Sequence, residues 1–161
     1  MFAPDDLLVA LSNARVDFVV IGGVAVGVHG FVRATQDLDI VPDPSPENLA
    51  RLARVLVELD AQPLGTGDFS PKEFPNDPTD PHQLAEGGNF RLETSHGPLD
   101  IMQFLAGIEP QPAYPELAPK ALPVTFRDAH IRVCGLEHLR AMKRAAGRPQ
   151  DLEDLRQLDG A

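Results

Sequence analysis

Apolar residues mark out the elements of this chain before any single residue suggests chemistry. Leu7, Leu8 and Leu11 form a stripe behind Pro4, Asp5 and Asp6, so a helix is expected over residues 4–15. Residues 17–21 are a short β-branched and aromatic run, expected as a buried strand. A double glycine, Gly22-Gly23, then opens a short helix of small residues reaching about His29. Residues 37–41 are expected as a second strand, stopped by Pro42, Pro44 and Pro46. Leu49, Leu52, Ala53, Leu56 and Leu59 recur at helical spacing from Pro46 onward, with Glu47/Arg51 and Arg54/Glu58 spaced for ion pairs on the outer face.

Periodicity is lost over residues 60–88. Five prolines and four glycines fall there, and a long loop, functional or disordered, is expected. Alternation returns with Phe90, Leu92 and Thr94 against Asn89, Arg91 and Glu93. His96-Gly97 is a turn signal, so residues 98–104 should return as the hairpin partner. A helical turn over 113–120, short strands at 124–126 and 131–133, and helices at 136–146 and 151–158 complete the pattern. The last helix is expected to turn Leu152, Leu155 and Leu158 inward. Strands interleaved with helices predict an α/β (α+β) fold, a mixed sheet flanked by helices. Its 161 residues suit one domain, 1–161, with the 60–88 loop in its middle and helices over 135–158 at its end.

Composition changes this picture little. Hydrophobic residues make up 43% and charged residues 24%, ordinary for a globular protein. There is neither a secretory stretch nor an apolar run of membrane-spanning length, and the single cysteine, Cys134, suits a reducing compartment; a cytoplasmic protein is expected. The net charge of −10 argues against broad nucleic-acid binding. It is uneven, however. Residues 127–148 hold six Arg or Lys against two acids, a basic segment that could hold a triphosphate or a nucleic-acid end, or simply be a solvated helix face.

The candidate chemistry lies in three aspartates. Asp37 and Asp39 alternate with Leu38 and Ile40, so both carboxylates share one strand face. Leu-Asp-Ile occurs at 38–40 and again at 99–101, and Asp100 is the natural third carboxylate. Like charges gathered on one face call for a hard divalent cation, and three carboxylates suit a pair of Mg²⁺ ions about 4 Å apart. Gly22-Gly23 lets backbone N–H groups approach a phosphate closely. His82, His96 and His130 share no zinc-ligand spacing with each other or with Cys134.

Gly22-Gly23, Asp37-Leu38-Asp39 and Leu99-Asp100-Ile101 together resemble the nucleotidyltransferase superfamily with the DNA polymerase β-like palm. The stretch from Gly22 through His29-Gly30, Arg33 and Thr35 to Asp39 looks most like small bacterial members, including AbiEii-type toxins of type IV toxin–antitoxin systems. So does the tail with Lys143, Arg148, Asp151 and Asp154. The resemblance implies NMP transfer from an NTP, with Asp37 and Asp39 on both Mg²⁺ ions and Asp100 on the second metal and the acceptor. It implies Gly22 and Gly23 at the phosphates, Lys143 as a mobile charge reaching them, and Arg33 and Thr35 near phosphates or acceptor. It leaves open a tRNA, protein or small-molecule acceptor and a cognate antitoxin as partner. The alternative is a palm kept as an inactive nucleotide-binding or partner-binding module.

Other residues have structural readings. Asp151 and Asp154 suit a helix cap as well as a site. Arg33 could pair with Asp37 or Asp43 at the surface, Lys143 could run along a helix edge, and His29 could serve the end of its helix. Two departures stand out. The superfamily often has Ser where this chain has Gly23, and only about 25 residues follow the last expected strand, short for an acceptor-binding lobe.

Overall fold

The structure is a computed structural model and describes residues 2–64 and 77–160. Helix α1 (Asp5–Asn13) leads into strand β1 (Phe18–Ile21), α2 (Gly22–Val28), β2 (Leu38–Pro42) and α3 (Pro46–Glu58). Then come β3 (Gln62–Pro63), α4 (Pro81–Ala85), β4 (Asn89–Thr94), β5 (Gly97–Met102) and α5 (Tyr114–Leu117), which continues into a 3₁₀ turn. Strands β6 (Leu122–Phe126) and β7 (Ala129–Val133) and helices α6 (Leu136–Ala146) and α7 (Pro149–Asp159) follow. The strands form one mixed sheet in the order β3-β4-β5-β2-β1-β7-β6. β2 runs antiparallel to β1 and parallel to β5, and β1 runs parallel to β7. The expected α/β class is therefore observed.

The central strands carry the core. Every residue of β1 is buried, and Leu38, Ile40, Leu99 and Ile101 have no exposed surface. At about 25 cal/mol per Å² of apolar surface removed from water, these branched side chains fix which face of each strand points inward. Ser45 caps α3 by accepting from the Asn48 amide, and Pro46 occupies the first turn. Asn48 itself is fully buried. Its Oδ1 accepts from the Asp17 amide at 2.7 Å, while its Nδ2 donates to the carbonyls of Asp17 at 2.9 Å and Asp43 at 2.8 Å. One amide side chain thus pins the start of β1 to the end of β2, and with it the pair of strands that frames the site.

Several expectations are corrected. β2 begins at Leu38, so Asp37 stands one residue ahead of it. The 60–88 stretch is not all loop: β3 extends the sheet, and α4, capped by Asp80 through the His82 amide, buries Leu84. Residues 65–76 of that expected loop lie outside the described residues. Arg51 does not turn to Glu47; its Nε donates to the Arg15 carbonyl at 2.9 Å. The inward face of α7 is not Leu152, Leu155 and Leu158. Leu152 is half exposed, while Asp151 and Asp154 are buried alongside Leu158. The physical reason is that cations of α6 and of the 31–35 segment meet this helix, so its buried side is ionic. No helix among the described residues is long and apolar enough to cross a membrane.

Candidate active site

The two Leu-Asp-Ile triplets are register partners. Leu38 pairs with Leu99, Asp39 with Asp100 and Ile40 with Ile101 across the parallel strands β2 and β5. The leucines and isoleucines go into the core, so both aspartates emerge on the opposite face. Asp37, two residues before Asp39, comes up on the same side. Carboxylate oxygens of Asp37, Asp39 and Asp100 all lie within 4.8 Å of one another.

Such a cluster cannot be fully ionised at low cost. Burial, and next the charges of Asp37 and Asp100, push the Asp39 carboxyl up to about 8. Burial and the Asp100 charge raise Asp37 as well, partly offset by Arg91, Arg148 and Arg33. Asp100 Oδ1 is buried without a hydrogen-bond partner. A buried carboxylate oxygen without a hydrogen bond, beside two further carboxylates, is an all-oxygen donor set for a hard divalent cation, so these residues fit Mg²⁺ or a close analogue.

Gly22 closes one wall of the site. Its φ is +72°, and a Cβ there would stand 1.9 Å from Asp39 Oδ2. Position 22 therefore needs glycine both for its backbone conformation and for its approach to the carboxylate. At Gly23 a Cβ would lie 2.8 Å from Thr35 Oγ1 and 3.3 Å from an Arg33 guanidinium nitrogen. Thr35 Oγ1 thus fills the space beside Gly23, and it donates to the Asp37 carbonyl at 3.0 Å.

The other wall is the turn between α6 and α7, where Gly147 takes φ +61° and Pro149 begins the next helix. Lys143 is 7% exposed, and its Nζ lies 3.0 Å from Asp151 and 2.9 Å from Asp154. Arg33 forks onto Asp154 through Nε at 2.8 Å and Nη2 at 2.9 Å. Gln150 donates to the same carboxylate at 2.9 Å. Asp151 also accepts from the Arg148 amide and guanidinium at the start of α7, so it caps the helix and holds Lys143 at once. Burial alone would raise both aspartates, but hydrogen bonds from Arg148 and Lys143 to Asp151, and from Arg33, Lys143 and Gln150 to Asp154, leave both below the ordinary carboxylate range.

A cleft of about 1070 Å³ opens between these walls. All eight residues singled out in the sequence line it: Gly22, Gly23, Arg33, Thr35, Asp37, Asp39, Asp100 and Lys143. Lys143, expected as a mobile charge, is held by two buried partners. Arg33 pairs with Asp154 rather than with Asp37 or Asp43. His29 Nε2 donates to the Cys134 carbonyl at 2.7 Å, bracing α2 against the end of β7. The basic segment disperses: Arg127 goes to Asp5 and Asp6, Arg140 to Glu137 and Asp159, and of its six cations Lys143 and Arg148 line the cleft.

Sequence reasoning missed Arg91. It stands opposite Asp100 in the β4–β5 hairpin, with Nε 3.5 Å from Asp100 Oδ1 and a terminal nitrogen 3.9 Å from Asp37. The signal was present, since residues directly opposite in an antiparallel pair share a face.

Neither a family model nor a curated protein matches the sequence. Solved structures do match the fold. A candidate nucleotidyltransferase (TM1012) from Thermotoga maritima is 20% identical with a TM-score of 0.56, covering 98% of this chain and 94% of that one. The solution structure of the antibiotic-resistance factor ANT(2'')-Ia is 16% identical with a TM-score of 0.56, covering 94% of this chain and 78% of that one. The crystal structure of ANT(2'')-Ia in complex with adenylyl-2''-tobramycin is 14% identical with a TM-score of 0.55, covering 94% and 83%. The mixed sheet and its helices thus have the nucleotidyltransferase fold.

Proposed function

We propose that this protein, acting as a single catalytic domain, is a divalent-metal-dependent nucleotidyltransferase that moves an NMP group from an NTP to a hydroxyl acceptor. The observation that carries the reading is the register pairing of Asp39 with Asp100, with Asp37 beside them, on a sheet of the nucleotidyltransferase fold. Asp100 Oδ1 supports it, because it is buried without a hydrogen bond, with only the Arg91 guanidinium 3.5 Å away to balance its charge.

Bound Mg²⁺ would neutralise charge on the triphosphate and lower the pKa of the attacking hydroxyl. The chain's own residues do the positioning. Asp37, Asp39 and Asp100 would hold the metal, and Gly22 and Gly23, which line the same cleft, would face the phosphates with their backbone. Lys143, fixed by Asp151 and Asp154, adds a stationary positive charge to the same cleft. Asp100 accepts the proton of the acceptor hydroxyl. The hydroxyl oxygen bonds to the α-phosphorus as the α–β bridging bond breaks, and pyrophosphate leaves. Catalysis of this kind rests on alignment and charge neutralisation.

ANT(2'')-Ia, seen with adenylyl-2''-tobramycin, makes a small-molecule hydroxyl one acceptor class to test. A tRNA end and a protein side chain are the others. The motif resemblance to AbiEii-type toxins adds a finer proposal, growth arrest relieved by a cognate antitoxin.

The test is incubation with each NTP labelled at the α-phosphate, Mg²⁺, and separated RNA, protein and small-molecule fractions of a lysate. Wild type labels one fraction and Asp39→Ala labels none. Equal labelling by both proteins, or by neither, overturns the proposal. Nucleotide binding without transfer would leave only the inactive binding module.

A further inference from the structure

Arg91 does something that the metal-and-nucleotide scheme leaves unused. Among the described residues it is the one cation within 4.0 Å of the three-carboxylate cluster. Arg33 is committed to Asp154, and Arg148 and Lys143 to the aspartates of α7. Arg91 faces the atoms a metal would take. Its Nε lies 3.5 Å from Asp100 Oδ1, the oxygen without a hydrogen bond, and its terminal nitrogen 3.9 Å from Asp37 Oδ2. At these distances it neutralises charge without making a hydrogen bond. Its side chain is 63% exposed, so it can swing into solvent without opening the core.

We propose that Arg91 is a built-in counter-ion that occupies the carboxylate cluster before metal arrives, competes with the divalent ion for Asp37 and Asp100, and so sets the metal concentration at which the site loads. The proposal rests on the metal-site reading above. A divalent ion on Asp37 and Asp100 would sit within a few ångströms of the guanidinium, where like charges repel. The exposed arginine gives way, and the metal is bound more weakly than the three carboxylates alone would bind it. The arrangement keeps a partly buried acidic cluster tolerable in the metal-free protein, where Asp37 feels the Arg91 charge as a stabilising one.

The test is titration of nucleotide-free protein with Mn²⁺ by calorimetry, for wild type, Arg91→Gln and Arg91→Lys, alongside melting curves in chelator and in saturating Mn²⁺. Arg91→Gln should bind Mn²⁺ about 3- to 10-fold more tightly, an effect moderated by solvent screening at this exposed side chain. Arg91→Lys keeps the charge and should stay within about twofold of wild type. Arg91→Gln should melt below wild type in chelator and no lower than wild type in Mn²⁺. A residue that merely supported the strand would lower both curves alike. Mn²⁺ bound equally or more weakly by Arg91→Gln overturns the role of Arg91 and leaves the transferase reading standing. No Mn²⁺ binding by wild type overturns both.

Discussion

Asp39 and Asp100 are register partners on adjacent parallel strands, each inside a Leu-Asp-Ile triplet whose apolar members are fully buried. The core therefore sets the spacing of the two backbone positions and the face on which both carboxylates emerge. Gly22 approaches Asp39 from the side. The site is thus held in a strained electrostatic state by hydrophobic packing.

That strain has a pH signature. The folded carboxyl of Asp39 is raised to about 8 from its ordinary value of 3.8. A raised acid binds more protons when folded than when unfolded, so its contribution to stability is full below the unfolded pKa and is lost as pH rises through the folded one. Melting temperature in chelator should fall between about pH 4 and pH 8 in wild type, and that share of the fall should be absent from Asp39→Asn. At pH 8 the metal-free variant should be the more stable, by on the order of 1 kcal/mol or more. Parallel melting curves for the two proteins across this range would show that Asp39 is not strained.

Adding divalent metal should reverse the ranking. In the proposed site ionised carboxylates would be the ligands, so wild type should gain stability from Mg²⁺ as pH rises, while Asp39→Asn gains little. Thermal shift with and without Mg²⁺ at two pH values measures it. Equal Mg²⁺-induced shifts in both proteins would place the metal elsewhere.

Gly22→Ala should damage the site directly. A Cβ at 1.9 Å from Asp39 Oδ2, on a residue with positive φ, forces the carboxylate or the turn to move. The backbone term alone costs about 1–2 kcal/mol. Loss of Mn²⁺ binding together with a lowered melting temperature is expected. Wild-type metal affinity in this variant would show that the approach of Gly22 to Asp39 is dispensable.

Asp154→Ala should be among the most destabilising single changes near the cleft. It strands the Arg33 fork and leaves Lys143 with Asp151 alone, and breaking one partner of a buried ion pair costs about 3–5 kcal/mol. Urea denaturation compares it with Arg156→Ala, whose exposed guanidinium meets Glu153 at the surface of α7 and whose loss should cost far less than that of Asp154. Similar losses for the two variants would mean that the buried network contributes no more than a surface pair.

The sequence carried the sheet and the triad more fully than it carried the C-terminal wall. Alternation around Asp39 and the repeat of Leu-Asp-Ile made the aspartate faces legible, because a strand has a period of two and its buried face must be apolar. The leucine spacing of α7 points to the wrong face, because the residues turned inward with Leu158 are Asp151 and Asp154. A buried ionic face leaves no hydrophobic trace, and its cations come from residues as distant in sequence as Arg33. The Asn48 clamp was invisible for a related reason, since its partners are backbone atoms of Asp17 and Asp43 brought to it only by the finished fold. The position of Arg91 could have been read by carrying the hairpin register from Gly97 back to Asp100.

Nucleotidyl transfer is tested most directly by following the two ends of the triphosphate separately. The protein is mixed with Mg²⁺, the acceptor fraction it labels, and the preferred NTP carrying label at the α- or the γ-phosphate. The account predicts that α-label becomes attached to the acceptor in step with release of γ-label as pyrophosphate, and that Asp39→Ala and Asp100→Ala abolish both. Transfer of the γ-label to the acceptor, release of γ-label as orthophosphate without α-transfer, or no movement of either label would contradict it.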